Sequence, residues 1–448
     1  MSVAPSTTRR LGLYAASAIV IANMIGTGVF STLSFQVHAL PDERAILLLW
    51  LLGGLSALAG AFCYAELGAA RPRSGGEYAL LTQLFHPATG FVSGWISIVA
   101  GFAAPIAAAA LAFGAYLGKL SPALAPHELA LAIGLVLLVT AVHCLRVDIG
   151  ARFQIYTTAF KLALMLGIVA AALWVAPAPV TRSPELASLI GSPAFAVSLV
   201  YVSYAYFGWN AALYVAGEVR DPARNLPRAL ILSTLLVTAL YLAVNWAFLR
   251  LVPFAELVRV DPTQMTVENE LAVGFLAGHA LFGEHGGQIV GSLIALALVS
   301  TVSAMIMAGP RVLATMAEDW RPFALFARRS HGGAPLAALG FQAVLVILFL
   351  ATASFEFVVN FIGVSLSLFN MAVIAGFLRE RSRRSPVEGS FRAPFGRTAA
   401  TLFLLINGWM VVFLCIEQPW SVALSVASIL VALGLWWPLR RHAPGTQP

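Results

Sequence analysis

Asn23-Met24-Ile25-Gly26-Thr27-Gly28-Val29-Phe30 interrupts an apolar run that extends over residues 10–37. A glycine inside a helix costs about 1 kcal/mol relative to alanine, so Gly-Thr-Gly at mid-run predicts a break. Taken alone, the triplet reads first as a small-residue seam for close helix packing. A second interruption, Tyr204-Ala205-Tyr206-Phe207-Gly208-Trp209-Asn210, lies at the matching depth of the run 191–218. Paired interruptions at corresponding positions of two halves point to a transporter with inverted repeats and a site at the membrane midplane.

Composition agrees. Of 448 residues, 60% are hydrophobic and only 10% are charged, against about 25% charged in a soluble domain. Mean hydropathy is +0.86. Only a bilayer solvates that much apolar surface, which excludes an ordinary soluble enzyme and a disordered chain. A spanning helix needs about 20 apolar residues. Twelve runs qualify: 10–37, 45–70, 87–118, 128–145, 152–176, 191–218, 226–251, 286–312, 335–353, 356–378, 398–416 and 419–438.

The formal charge is +7, but the bases do not form the patch of a nucleic-acid binder. They sit in alternate loops. Arg71 and Arg73, Arg220, Arg224 and Arg228, and the cluster from Arg379 to Arg397 fall on the side of Arg9 and Arg10. The other side holds Arg44, Lys119, Arg182, Arg250 and Arg259. The bias, about four to one, places both termini in the cytoplasm and requires an even number of spans. The first run lacks a small-residue cleavage motif and is expected to remain in the mature chain. Cys63, Cys144 and Cys415 lie in or beside apolar runs and read as small apolar fillers.

Two loops stand out. Residues 252–285 are acidic through Glu256, Asp261, Glu268, Glu270 and Glu284, with an apolar stretch from Leu271 to Phe282 expected to form a short helix over the outer mouth. Residues 71–86 open with Pro72 and Gly75-Gly76 and then turn amphipathic, as a short helix along the cytoplasmic face would.

The breaks imply a polarity. Backbone N–H groups at the start of the outer half of helix one attract an anion. Carbonyls freed at the end of its inner half and at the break in helix six attract a cation. No Asp, Glu or Arg lies near either break in sequence. Two opposite poles without side-chain charge suit a zwitterion, that is, an α-amino acid.

Lys161 sits mid-span. A charge at the bilayer centre costs about 2.5–3.5 kcal/mol on insertion scales and defaults to a functional role. Its natural partners are freed carbonyls of helix one and the hydroxyls of Ser300, Thr301 and Ser303 on helix eight. Other signals are weaker. Glu66 and Glu218, with Arg73, Arg220 and Arg311, read as helix-end charges at the interface rather than an inner gate. His279, His285 and Glu284 lack a third firm ligand and read as solvated loop residues, so no metal is expected. Ser300 and Ser303 have no paired His or Asp, so no hydrolase triad is formed. No Walker motif is present, so ATP does not drive the process, and no cofactor is expected. A membrane enzyme is disfavoured by the lack of clustered acids, His or thiols at mid-membrane.

Four stretches together resemble the amino acid–polyamine–organocation (APC) transporters, closest to bacterial L-type amino acid transporter-like permeases. They are Gly26-Thr-Gly-Val-Phe30, Cys63 to Tyr78, Phe207-Gly-Trp-Asn210, and Gly217 to Arg228. The resemblance covers about residues 5–400. It implies an all-α membrane protein of twelve helices with the LeuT-type 5+5 inverted repeat and discontinuous helices one and six. The repeats would be 10–176 and 191–378, with 398–438 as two extra helices. By motif position it implies that Thr27 and Gly28 amides and the Thr27 hydroxyl bind the substrate carboxylate, beside Asn23 and Gly26. Carbonyls of Met24, Tyr204 and Phe207, next to Gly208, would take the ammonium. The Tyr204 ring would close an outer gate.

Lys161 is expected to stand where sodium-coupled relatives hold an ion, making sodium unnecessary. Phe207 departs from the small or acidic residues usual at its position. It either narrows the pocket toward small and medium neutral substrates or packs into the bundle. The resemblance implies obligatory exchange by alternating access; proton-coupled uptake and export are alternatives, as is a membrane sensor that binds without transporting. Residues 119–127 hold no cysteine, so no disulfide-linked heavy chain is expected, and the chain is expected to act as a monomer or weak homodimer in the bacterial inner membrane.

Overall fold

The computed structural model describes residues 11–440 except 122, 146, 176, 179, 182, 184, 260–271, 353–354 and 384–389. Among the described residues the chain is helical, and its extended pairing is a single parallel bridge between Leu11 and Val219. Among the described residues nine helices are long and apolar enough to cross a membrane, and two shorter apolar ones, Leu13–Met24 and Leu336–Ala351, accompany them.

The first predicted span is two helices, α1 (Leu13–Met24) and α2 (Gly28–Ala39), with Ile25 to Thr27 between them. Asp42 then caps α3 (Glu43–Ala70), accepting from the amides of Arg44 and Ala45. Capping side chains satisfy helix-start donors that have no intrahelical partner. A turn through Gly75 and Gly76 leads to α4 (Glu77–Leu84), and α5 (Pro87–Ile96) follows with proline at its permitted first position. Ser97–Ala103 is a π-helical turn joining α5 to α6 (Ala104–Leu120) without a loop. Such insertions often mark functional sites. Next come α7 (Glu128–Leu145), α8 (Val147–Ala172) and the short α9 (Leu186–Ile190).

The second predicted break is also present. Ser192 and Pro193 start α10 (Pro193–Tyr206); the chain unwinds at Phe207 to Asn210 and resumes as a 3-10 helix over Ala211–Glu218. After it come α11 (Pro222–Leu251), α12 (Phe254–Val258) and α13 (Ala272–Phe282). The 34-residue α14 (Gly286–Asp319) leads to α15 (Ala324–Ala327), α16 (Leu336–Thr352), α17 (Phe355–Arg383), α18 (Gly396–Glu417) and α19 (Pro419–Leu439).

The core lies around α1, α3, α10 and α14, while α7, α8, α18 and α19 turn side chains such as Leu138, Leu166, Leu405 and Leu430 outward. Such a rim is stable against lipid, not water. One expectation changes: the helix after Gly76 is only partly at a surface, Glu77 to Leu81 being buried because α4 packs against α5 and α17, while Gln83 and Phe85 are exposed. The apolar stretch 271–282 does form a short helix, α13, over its described residues; Asp261, Glu268, Glu270 and Leu271 lie outside the described residues.

Candidate functional site

The two breaks meet. A Cβ on Gly28 would stand 2.7 Å from the Ala205 Cα, and one on Gly208 would stand 2.7 Å from the Asn23 carbonyl carbon. Gly208 also has φ +103°, a conformation open to glycine at little cost. Each broken helix therefore lays its glycine on the backbone of the other, which no larger residue permits.

Between them lies a cavity lined by both breaks. All eight residues expected to bind substrate line it: Asn23, Met24, Gly26, Thr27, Gly28, Tyr204, Phe207 and Gly208. Thr27 and Gly28 begin α2, whose first N–H groups have no intrahelical acceptor and carry the positive end of the helix dipole. The Tyr204 hydroxyl lies 3.1 Å from the Thr27 Oγ1, so the ring bridges the two broken helices across the cavity. Phe207 lines the cavity too. The Asn23 side chain is committed elsewhere: its Nδ2 donates to the Ile19 carbonyl at 2.7 Å.

Lys161 is 1% exposed. Its ammonium donates to the Ile25 carbonyl, to Thr301 Oγ1 at 2.7 Å and to the Ala22 carbonyl at 3.4 Å. Thr301 in turn donates to the Ile25 carbonyl at 2.9 Å. Freed carbonyls of helix one thus hold the charge, with one hydroxyl from α14. The other two hydroxyls expected there are turned away by the helical register. Ser300 meets Gln154 Nε2 at 3.2 Å, and Ser303 meets His143 Nε2 at 2.9 Å.

Two groups at the breaks escaped the sequence reading. The Tyr241 hydroxyl lies 2.6 Å from the Met24 carbonyl and 2.8 Å from the Ala205 carbonyl, so one hydrogen is shared between both breaks. The Met24 carbonyl, expected to face a substrate ammonium, keeps only its other lone pair for that purpose. The second is Glu77. No acid neighbours the breaks in sequence, but the fold brings Glu77 to Asn210, whose Nδ2 donates to Oε1, while the Tyr214 hydroxyl donates to Oε2 at 2.5 Å. The signal was the preceding glycine pair. Gly76 has φ +55°, and a Cβ there would lie 2.2 Å from Tyr214 Cε1. The amides of Gly75 and Gly76 donate to the carbonyls of Tyr214 and Leu213, strapping the loop onto the 3-10 segment.

The end of the bundle that holds Leu11 and Val219 carries a set of ion pairs. Arg311 Nε donates to Glu218 at 2.8 Å, both side chains being nearly buried, and Arg329 reaches Glu218 at 3.3 Å. Arg73 pairs with Asp319 at 2.6 Å, and the Tyr78 hydroxyl donates to the same carboxylate at 2.6 Å. Glu66 meets Arg381 at 3.0 Å. Glu218 and Arg311 are therefore not interfacial helix-end charges as expected; the pair is buried because α14 runs past the end of the 3-10 segment.

The amino acid permease family matches residues 11–436. The large neutral amino acids transporter small subunit 2 of Mus musculus is 28% identical, over 97% of this chain and 82% of its own. The serine/threonine exchanger SteT of Bacillus subtilis (strain 168) is 29% identical, over 76% of each chain. The Asc-type amino acid transporter 1 of Mus musculus is 26% identical, over 96% of this chain and 82% of its own.

Proposed function

The chain belongs to the amino acid permease family, and from that premise we propose that it exchanges neutral L-amino acids across a membrane by alternating access, without sodium. The observation that carries the reading is the Lys161 ammonium on the Ile25 carbonyl. A fixed cation occupies the carbonyls that the break in helix one frees, beside a cavity lined by both breaks. The substrate carboxylate would meet the amides at the start of α2. The ammonium would meet carbonyls at the break after α10. Closure by Tyr204 would seal one side, and the pairs around Glu218 and Asp319 the other.

We read the architecture as twelve spans. Two of them are the broken pairs, α1 with α2 and α10 with Ala211–Glu218. The inverted repeats would be 10–176 and 191–378, followed by 398–438. The arginine bias supports placing the face with Leu11 in the cytoplasm, in a bacterial inner membrane. Phe207 at the cavity supports small to medium neutral substrates. The absence of cysteine from residues 119–127 supports action without a disulfide-linked second subunit.

Uptake of labelled alanine and leucine into sodium-free proteoliposomes tests this. Exchange predicts uptake only into vesicles preloaded with the same amino acid. Uptake into empty vesicles driven by a pH gradient would mean proton symport instead. Faster uptake of tryptophan than of alanine would refute the small pocket.

A further inference from the structure

One carboxylate in the cavity has no part in amino acid exchange as described. Glu77 is 3% exposed, and neutral donors cover both of its oxygens, Asn210 on one and Tyr214 on the other. The titratable side chains that face it are Tyr214, from the 3-10 segment, and Tyr64 of α3, which has Cys63 beside it. Ser97 of the π turn and Asn370 of α17, at the same end of the cavity, are neutral. Among the described residues, no Lys, Arg or His forms an ion pair with Glu77.

A carboxylate at that depth is costly while ionised, and neutral donors offset only part of the cost. The cluster calls for a positive charge. Asn210 and Tyr214 take one lone pair on each oxygen, and a proton is the smallest positive charge that can take another without displacing them. The Tyr214 hydroxyl can turn from donor to acceptor, and Ser97 lines the same cavity beside it.

We propose that Glu77 is a proton-binding site of the transport cycle, holding one proton while the cytoplasmic end of the cavity is closed and releasing it to cytoplasmic water when Asn210 and Tyr214 move away with the 3-10 segment. The carboxyl O–H bond breaks, the proton passes to water, and nothing is oxidised or reduced. Acid on the cytoplasmic side holds this end shut; alkali frees it. The inference rests on the exchange reading for the face that opens.

The test reconstitutes the full chain in sodium-free vesicles loaded with L-alanine. Exchange for labelled L-alanine is followed while internal pH is stepped from mildly acid to mildly alkaline. The rate is expected to rise by up to about tenfold per pH unit, the steepest response of a one-proton equilibrium. Glu77→Gln, permanently neutral, is expected to be slow and flat. Glu77→Asp is expected to keep the slope with a displaced midpoint. A wild-type slope in Glu77→Gln, or no slope in the wild type, overturns the proposal.

Infrared spectroscopy of the detergent-solubilised chain needs no transport. A protonated-carboxyl stretch at neutral pH, removed by Glu77→Gln, is expected, and its absence also overturns the proposal. Vesicles that fail to exchange alanine while the band is present would count against the substrate reading and for the proton site.

Discussion

The ammonium of Lys161 on α8 rests on the carbonyl of Ile25, the first residue beyond the end of α1. Thr301 of α14 binds both partners. Three helices are therefore held at one point, and that point is the break itself. Hydrogen bonds that involve an ionised group are worth about 1.5–3 kcal/mol each.

Removing the ammonium should thus release the break. Lys161→Ala is expected to lower alanine exchange by about tenfold or more, the scale of one such bond. Lys161→Arg should not rescue it, because a planar fork does not fit a site shaped for a compact charge. Initial rates in proteoliposomes at equal protein content decide. Wild-type kinetics in Lys161→Ala would remove the residue from the mechanism.

The glycines at the breaks should differ sharply in tolerance. Gly28→Ala and Gly208→Ala place a methyl against backbone at 2.7 Å, and the second also strains φ. Each is expected to cost about 2 kcal/mol or more. Gly26→Ala meets only the Thr301 Cγ2 at 3.4 Å and is expected to cost less than about 1 kcal/mol. Thermal unfolding followed by size-exclusion chromatography ranks the three.

Glu218 and Arg311 invite a double-mutant cycle. Glu218→Leu alone leaves the Arg311 charge buried behind and should cost about 3–5 kcal/mol; Arg311→Met should cost less, because Arg329 still reaches Glu218. The double variant should be more stable than either single one. Additive losses would show that the pair is hydrated and works only as a surface contact.

On the opposite face, acid should loosen the cap of α3. The Arg44 guanidinium holds the Asp42 carboxyl down at about 2, helped by amide donors from Ser183, Arg44 and Ala45. The folded value lies below the unfolded one of about 3.9. The resulting stability is therefore complete above about pH 4 and is lost as pH falls toward the folded value. Asp42→Asn keeps the capping oxygen. It is expected to cost at most about 1 kcal/mol at neutral pH, since the Arg44 partner is half in solvent, and to flatten this part of the acid unfolding curve.

Much of the site could be read from the chain because its signals are local. Gly26-Thr27-Gly28 and Gly208 mark breaks wherever they lie in a long apolar run, and Lys161 is conspicuous as a lone mid-span charge. Rotation about a helix axis is not local. Ser300, Thr301 and Ser303 were equivalent in sequence, and only packing of α14 selects Thr301. Tyr241 and Glu77 needed more still: each reaches a break from a distant helix or loop. The polarity of the segment from Tyr78 to Phe85 suggests a surface helix, but only its end, with Gln83 and Phe85, is exposed, while Tyr78 faces Asp319 inside the protein.

The bridge between Leu11 and Val219 has a practical meaning. The Leu11 amide donates to the Glu218 carbonyl, and the Arg220 amide donates back to Leu11. The start of the described chain and the end of the 3-10 segment are thereby stitched into one piece. A side chain added at Gly12 would meet nothing within 4 Å. A dye attached through Gly12→Cys would then ride with that segment, and its fluorescence would report each opening of this end without touching a residue of the cavity.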